Sequence, residues 1–409
     1  MAATITLAEA MQRVLGVQCD PVGVETVALA DALGRHLAHD VATDGPWPST
    51  DRSAMDGFAV AAGNGLAAGA ELPVVGDSLA GHPFAGPLPD GTAIRIMTGA
   101  VVPPGADAVV PVELTSGFDG SPVVLRAPVQ RGQNIRPVGS EAHAGQVVLG
   151  GGARIRAYGI GALAVLGHHR VAVRARPLVR VLPTGDEVVP VDQVPLPHQV
   201  RESNSWALAA QVAAAGAQAE RLPVAPDDAP ALRACVEQAL VGADVLLTIG
   251  GVSKGSHDLV HGTLRELGVA AEFHGIELKP GKPTFFGVRR GARPTFVFGL
   301  PGNPASCITV FDLLVRPLLQ RLLGSMPHRW TALATLRGSW KPNARLQATP
   351  VRLLEEAGLL AVEVLPPSPS GDPFSLVCGD AYALLPPNSK PGELRFVTIV
   401  PYLADGPCA

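Results

Sequence analysis

The chain has 409 residues, 47% hydrophobic and 17% charged, which supplies cores for two to four domains and excludes global disorder. Its 32 basic and 36 acidic residues leave a formal charge of −4, against the basic excess of a nucleic-acid binder. No apolar run reaches the roughly 18 residues of a membrane span, and the five scattered cysteines, none in a CxxC pair, indicate neither a disulfide framework nor a zinc site.

The N-terminal stretch MAATITLAEAMQRVLG lacks the basic region and apolar block of a signal peptide, so a cytoplasmic location is expected. It predicts an amphipathic helix opened by Thr6 and Glu9 as a capping box. From there to about residue 175 the sequence gives short β-like runs (Val22 to Leu29, Ala93 to Met97, Ala108 to Val112, Val123 to Leu125) broken by glycine and proline. Within this region STDRSAMDGFAV sets Asp56 in a polar turn before an apolar run, where an Asx-turn or a metal or hydroxyl partner both fit. Thr98 and Gly99 end a strand in RIMTGAVVPPGADAVVPVE, and Glu141 and His143 share a turn in RPVGSEAHAG.

From about Pro177 strands and helices alternate: LVRVLPTGDE, then helical SNSWALAAQVAAAG, strand AERLPV, helical DDAPALRACVEQALVG, strand DVLLTI, helical DLVHGTLRELG, strands PTFFGV and PTFVFGL, and a long helix from NPASCITVFDLL. That spacing predicts a doubly wound α/β domain with the uniformly apolar DVLLTI at its centre. After about Met326, five short strand candidates (ALATLRG, TPVRLLEE, LAVEVLP, AYALLPP, RFVTIVP) predict a small barrel-like β module.

Ligands of such α/β sheets bind beyond the carboxyl ends of the strands. Four loops are expected there: Thr184-Gly185-Asp186-Glu187, the segment from Gly250-Gly251 through Ser253 and Lys254 to Asp258, Lys279-Pro280-Gly281-Lys282-Pro283, and Pro301-Gly302-Asn303-Pro304-Ala305-Ser306. Taken singly these are a tight turn, solvated acids, surface lysines and a helix start. Together they gather small residues, lysines and carboxylates at one edge. Small residues admit a ligand to backbone N–H groups, the helix start after Asn303 adds a positive dipole end, and lysines supply charge for phosphate. A carboxylate about 5 Å from a phosphate oxygen is repelled by roughly 3 kcal/mol per unit charge at an effective dielectric near 20. Acids and bases therefore fit one site when a divalent cation bridges carboxylate and phosphoanhydride.

In order, SAMDGFAV, RIMTGAVVPPGADAVVPVE, TGDE, GGVSKGSHD, KPGKP and LPGNPAS resemble the molybdopterin molybdenumtransferases, the molybdenum insertases, which include the C-terminal domain of gephyrin. The resemblance runs over the whole chain. It implies a multidomain α/β plus β fold: a linking domain from two segments (1–40 and 133–175), an inserted β-rich domain (41–132), a three-layer doubly wound α/β domain (176–326) and a C-terminal β-barrel-like domain (327–409). It further implies a homodimer whose cleft lies between the β-rich domain of one subunit and the α/β domain of the other. The implied reaction takes adenylylated molybdopterin and molybdate, releases AMP with Mg²⁺ assisting, and leaves molybdenum on the pterin dithiolene. Carried over to these positions, Asp56, Thr98, Glu187, Asp258, Lys279 and Lys282 are the catalytic set, with Asp56, Glu141, Glu187 and Asp258 as metal ligands. Thr184, Gly185, Asp186, Gly250, Gly251, Ser253, Pro301, Gly302, Asn303, Pro304 and Ser306 are the substrate-binding set. Partners implied are the small-molecule substrates, with contact to a molybdopterin adenylyltransferase or recipient molybdoenzymes, and neither nucleic acid nor membrane. The sequence departs from the usual family pattern at Arg52, Glu141, Glu202 and Leu259. Two alternatives stay open: the preceding adenylylation step, whose α/β domains share the GGVS and PGNP loops, and a gephyrin-like scaffold without turnover.

Overall fold

The computed structural model describes residues 4–251, 259–327, 331–366, 369, 371, 372, 374 and 376–402. The chain divides into two compact units, Asp40–Gly150 with Gly161–His168, and Met1–His39 with Gly151–Ile160 and His169–Ala409.

The first unit is built on a four-stranded sheet ordered Val74–Ser78, Ala93–Ile96, Gly57–Val60, Ala108–Pro111. The central Gly57–Val60 strand is buried along its length because both faces are covered. Alternation divides its side chains: Phe58 and Val60 join Ala108, Val110 and Leu125 in one cluster, while Ala59 joins Ile94, Ile96 and Val109 in another. Short ladders extend the unit, Ile135–Arg136 pairing with Arg52–Ser53 and Val147–Leu149 with Val41–Ala42.

The second unit begins with the predicted capped helix, Leu7–Gly16, where Thr6 Oγ1 accepts from the Glu9 N–H at 3.2 Å and Glu9 Oε2 accepts from the Thr6 N–H at 2.8 Å. Its apolar stripe, Leu7, Ala10 and Val14, packs into the core of the α/β sheet. Ile5 forms a parallel bridge with Ile276, fixing where the chain enters. The sheet has six strands in the order Gln218–Arg221, Leu178–Pro183, Val245–Ile249, Thr295–Leu300, Phe285–Arg289, Val269–His274. Val245–Ile249 is central and parallel to both neighbours, as its apolar composition predicts. One face carries Leu208 and Val212 of the Asn204–Ala214 helix and the long helix from Pro304. The other carries Leu232 and Val236 of Ala229–Leu240 and Val260 and Leu264 of Leu259–Glu266, giving three layers.

Two features differ from the sequence expectation. Val269–His274 is a sheet strand that was not anticipated, and the adjacent Phe285–Arg289 strand runs antiparallel to Thr295–Leu300. The reversal has a consequence for the site. Phe285 starts opposite Gly299, so the loop before it emerges at the same edge as the carboxyl ends of Pro183, Ile249 and Leu300. In an all-parallel sheet the KPGKP loop would lie at the far edge.

The C-terminal strands Ala332–Arg337, Leu346–Glu356, Leu359–Val364, Ala381–Leu385 and Phe396–Pro401 close into a five-stranded barrel through the pairing of Leu346–Glu356 with Ala381–Leu385. Leu278–Lys279 adds to the Leu346–Glu356 strand in parallel, Lys279 opposite Gln347, which stitches the KPGKP loop to the barrel. Among the described residues no helix is long and apolar enough to cross a membrane.

Candidate active site

Two constellations result, one on each unit. In the first, Thr98 donates from both its backbone N–H and its hydroxyl to Asp56 Oδ1, each at 2.7 Å. The Asx-turn alternative is thereby set aside, since the partner is a loop distant in sequence. The Thr98 hydroxyl, then its amide, holds the Asp56 carboxyl below the usual carboxylate range, so this exposed group is ionised at neutral pH. Thr98→Val should raise the Asp56 pKa in a carbon-detected NMR titration; an unmoved titration would remove the Thr98 hydroxyl as a cause. Arg52 donates to the Gly99 carbonyl at 3.1 Å, fixing the same loop from its other side. Glu141 is engaged elsewhere, in an exposed ion pair with Arg136 at 2.9 Å.

On the second unit the described parts of the strand-end loops lie at one edge of the sheet, and their residues differ in what they contact. Thr184 is buried, its N–H and hydroxyl both donating to the Ile249 carbonyl, so it knits two strand ends together. The Gly185 N–H goes to Ala225 O at 3.2 Å and that of Gly250 to Leu300 O at 3.1 Å, so neither amide is available to a phosphate. Asp186 accepts from the Asp227 N–H at 3.1 Å, just before the Ala229–Leu240 helix. Glu187 is different. It is exposed and folds back over Gly185, where a Cβ would fall 2.5 Å from its Oε2. Gly302 lies backbone to backbone with Gly250, its carbonyl accepting from Asn204 at 2.6 Å, and Asn303 starts the long helix with Pro304 in its first turn. Ser253 and Asp258 lie outside the described residues, and Gly251 borders them.

Beside these loops a cavity of about 590 Å³ opens between the sheet edge and the barrel. Pro301, Asn303, Ser306 and the KPGKP loop form one wall. Barrel residues that the sequence reading missed, Lys341, Arg345 and Gln347, form the other. Arg345 is held by donating to Leu278 O at 2.9 Å. No motif marks WKPNARL; its only signal is two cations in a linker between strands. Gly281 permits the loop's approach to the helix, since a Cβ there would fall 2.7 Å from Val310 Cγ2. Lys279, Lys282, Lys341 and Arg345 thus line the cavity, and no aspartate or glutamate is among its described lining residues. Four cationic side chains on one cavity make a locally positive field. A second cavity, of about 540 Å³, has the mixed lining of Arg13, Asp20, Glu272 and Arg290 and contains none of the predicted residues.

Residues 5–167 match the family model for the MoeA N-terminal region (domain I and II), and residues 180–321 match that for a probable molybdopterin binding domain. A molybdopterin molybdenumtransferase of Bacillus subtilis is 34% identical over 90% of this chain and 86% of its own length. The chain belongs to the molybdopterin molybdenumtransferase family. A family member from Haemophilus influenzae is 35% identical over 81% of this chain and 82% of its own length. Two crystal structures of a molybdopterin biosynthesis MoeA protein from Pyrococcus horikoshii align with 98% of this chain at 32% and 28% identity, TM-scores 0.80 and 0.78, covering 99% and 100% of those chains. The likeness spans both units, so the Asp56–Thr98 loops and the cationic cavity both lie within the family fold.

Proposed function

We propose that this transferase of molybdenum cofactor biosynthesis inserts molybdenum from molybdate into adenylylated molybdopterin, with release of AMP. The observation that carries the reading is the cavity with four cationic side chains and, among its described lining residues, no aspartate or glutamate, which suits a compact oxyanion such as molybdate. Lys279, Lys282, Lys341 and Arg345 would hold and orient the oxyanion, while the proline-bounded loops shape the wall at which the pterin dithiolene meets it. Cleavage of a phosphoanhydride is chiefly a matter of positioning and charge neutralisation, which these residues supply without a covalent step of their own.

Magnesium takes oxygen ligands and is commonly bound through one or two carboxylates plus substrate phosphates. Asp56, exposed and held ionised by Thr98, fits that donor set, and on the other unit Glu187 is an exposed carboxylate of the same chemistry. Among the described residues no three His, Cys, Asp or Glu side chains converge, which suits an ion whose remaining ligands come from substrate and water. When bound, the ion would neutralise charge on the phosphoanhydride. We also take the chain to be cytoplasmic and homodimeric, with the four domains bounded as the resemblance implies, and to meet the adenylyltransferase that supplies its substrate or the molybdoenzymes that receive its product.

The decisive experiment mixes purified protein with adenylylated molybdopterin and follows AMP, with and without molybdate and Mg²⁺. Release that requires both ions is expected. AMP release indifferent to molybdate would overturn the reading in favour of simple hydrolysis, and none from a protein that binds the substrate would overturn it in favour of a binding or scaffold role. The adenylylation alternative is disfavoured because the match extends through residues 5–167, outside the α/β domain that such enzymes share.

A further inference from the structure

Glu202, one of the positions at which the chain departs from the family pattern, has no part in the reaction as described so far. It is 5% exposed and stands just before the Asn204–Ala214 helix. Its Oε1 accepts from the Ser205 N–H at 2.7 Å, and its Oε2 accepts from the Ser205 hydroxyl at 2.5 Å and from Arg221 Nη2 at 3.2 Å. Arg221 Nε donates in turn to Ser205 Oγ at 2.7 Å. Held at two nitrogens, the guanidinium lies over the indole of Trp206, its central carbon 3.6 Å from the ring centroid. Trp206 is nevertheless 51% exposed, so the opposite face and the ring edge meet solvent.

A buried carboxylate seldom returns its desolvation cost as net stability. What this one supplies is orientation, a planar cation fixed against one face of an indole. The result is a prepared stacking surface, since nucleotide bases stack on aromatic rings and guanidinium planes. Its place in the fold ties it to the proposed site. Arg221 ends the Gln218–Arg221 strand two residues before the carboxyl end of its neighbour, opposite Val181. Glu187 leads into Val188–Val189, which pairs with Val200–Arg201, and Glu202 follows at once, its N–H donating to Val189 O at 2.7 Å. Two residues on, Asn204 donates to Gly302 O, in the loop whose Pro301 and Asn303 line the cavity. Side chains two apart on a helix point to nearly opposite sides, so Trp206 is turned away from that loop while Asn204 meets it.

We infer that Trp206, backed by Arg221, is the shelf on which the adenine of the adenylylated substrate stacks, and so a specificity-determining residue for the adenylyl group. The inference rests on the reading of the reaction given above. Of that substrate's two flat heterocycles, the pterin is fused to the ring that bears the dithiolene and stays beside the cavity. The adenine is separated from it by the phosphoanhydride and a ribose, which lets it reach the far side of the helix start.

The full chain is titrated with AMP, with ribose 5-phosphate, which keeps the sugar and phosphate but lacks the base, and with neopterin. Trp206→Ala should bind AMP about tenfold more weakly than wild type and ribose 5-phosphate equally well. Trp206→Phe keeps a stacking face and should hold AMP within about threefold of wild type. AMP should quench part of the tryptophan emission of the wild type, and that part should vanish in Trp206→Phe while the affinity holds. The chain's four tryptophans make this a difference measurement. AMP affinity unchanged in Trp206→Ala overturns the shelf, and an equal loss of ribose 5-phosphate binding marks a structural role and overturns it too. Neopterin binding that follows Trp206 while AMP binding does not would give the surface to the pterin, against the inference. Should Trp206→Ala not fold, the quench difference between wild type and Trp206→Phe decides. A wild type that binds no AMP also sinks the shelf, whereas the reaction falls only if molybdate-dependent AMP release fails. Trp206-dependent AMP binding in a protein without that release keeps the shelf and removes the reaction.

Discussion

Lys279→Gln should cut molybdate affinity on the order of 100-fold, with molybdate-dependent AMP release falling in step. A unit charge about 4 Å from an opposite one is worth roughly 4 kcal/mol at an effective dielectric near 20. Molybdate is a dianion, and Lys279 is half-buried and fixed by its pairing opposite Gln347, so desolvation more than side-chain ordering offsets that attraction, leaving roughly 2.7 kcal/mol, a hundredfold in affinity. Lys282, exposed on the same loop, is screened by water, and its replacement should cost only about tenfold. Glutamine preserves most of the aliphatic stem, which separates lost charge from lost packing. Calorimetric titration with molybdate and an AMP assay on the same samples check both numbers. Equal, small effects at the two positions would place the oxyanion elsewhere.

Gly57→Ala is expected to be among the most damaging single methyls at the described glycines. A Cβ at Gly57 would fall 1.9 Å from the Val110 carbonyl oxygen of the neighbouring strand, and a backbone atom within a ladder cannot swing aside. Overpacking commonly costs 1–3 kcal/mol, and a backbone clash in a strand buried on both faces belongs at or above the top of that range. A loss of about 3 kcal/mol corresponds to roughly 12–24 °C in the melting temperature of a domain of about 100 residues. The same displacement would carry Asp56 away from Thr98. A thermal melt together with AMP release checks the expectation; a variant that melts within a degree or two of wild type would show that the ladder yields. The glycine after Asp56 is thus there for strand approach, not for a turn.

Much of this architecture is legible before any coordinates. The Thr6–Glu9 capping box, the uniformly apolar Val245–Ile249 and the five barrel strands announce themselves because each depends on local pattern alone. Strand direction is not local. VAAEFH has weak alternation, and nothing in PTFFGV says that it runs against its neighbour, so the unexpected strand and the reversed one could be found only from pairing. The site divides in the same way. Asp56, Glu187 and the KPGKP lysines are recognisable by motif order, whereas Thr184 and Asp186 belong to the same motif yet serve the scaffold. Lys341 and Arg345 escape a motif search because they join the site through the seating of the barrel against the sheet edge.

The bridge between Ile5 and Ile276 bears on how the protein is made. Ribosomes extend a chain by about 5–20 residues per second, so Ile5 waits roughly 15–55 s for its partner to be synthesised. Throughout that interval Leu7, Ala10 and Val14 have no core to enter, since their neighbours in the finished protein include Phe311, Leu314 and Leu318, and a ten-residue helix is marginal in water without that core. A nascent chain of this protein therefore carries Leu7, Ala10 and Val14 unburied until residues roughly three hundred positions later are made, a natural stretch for a chaperone at the ribosome to shield.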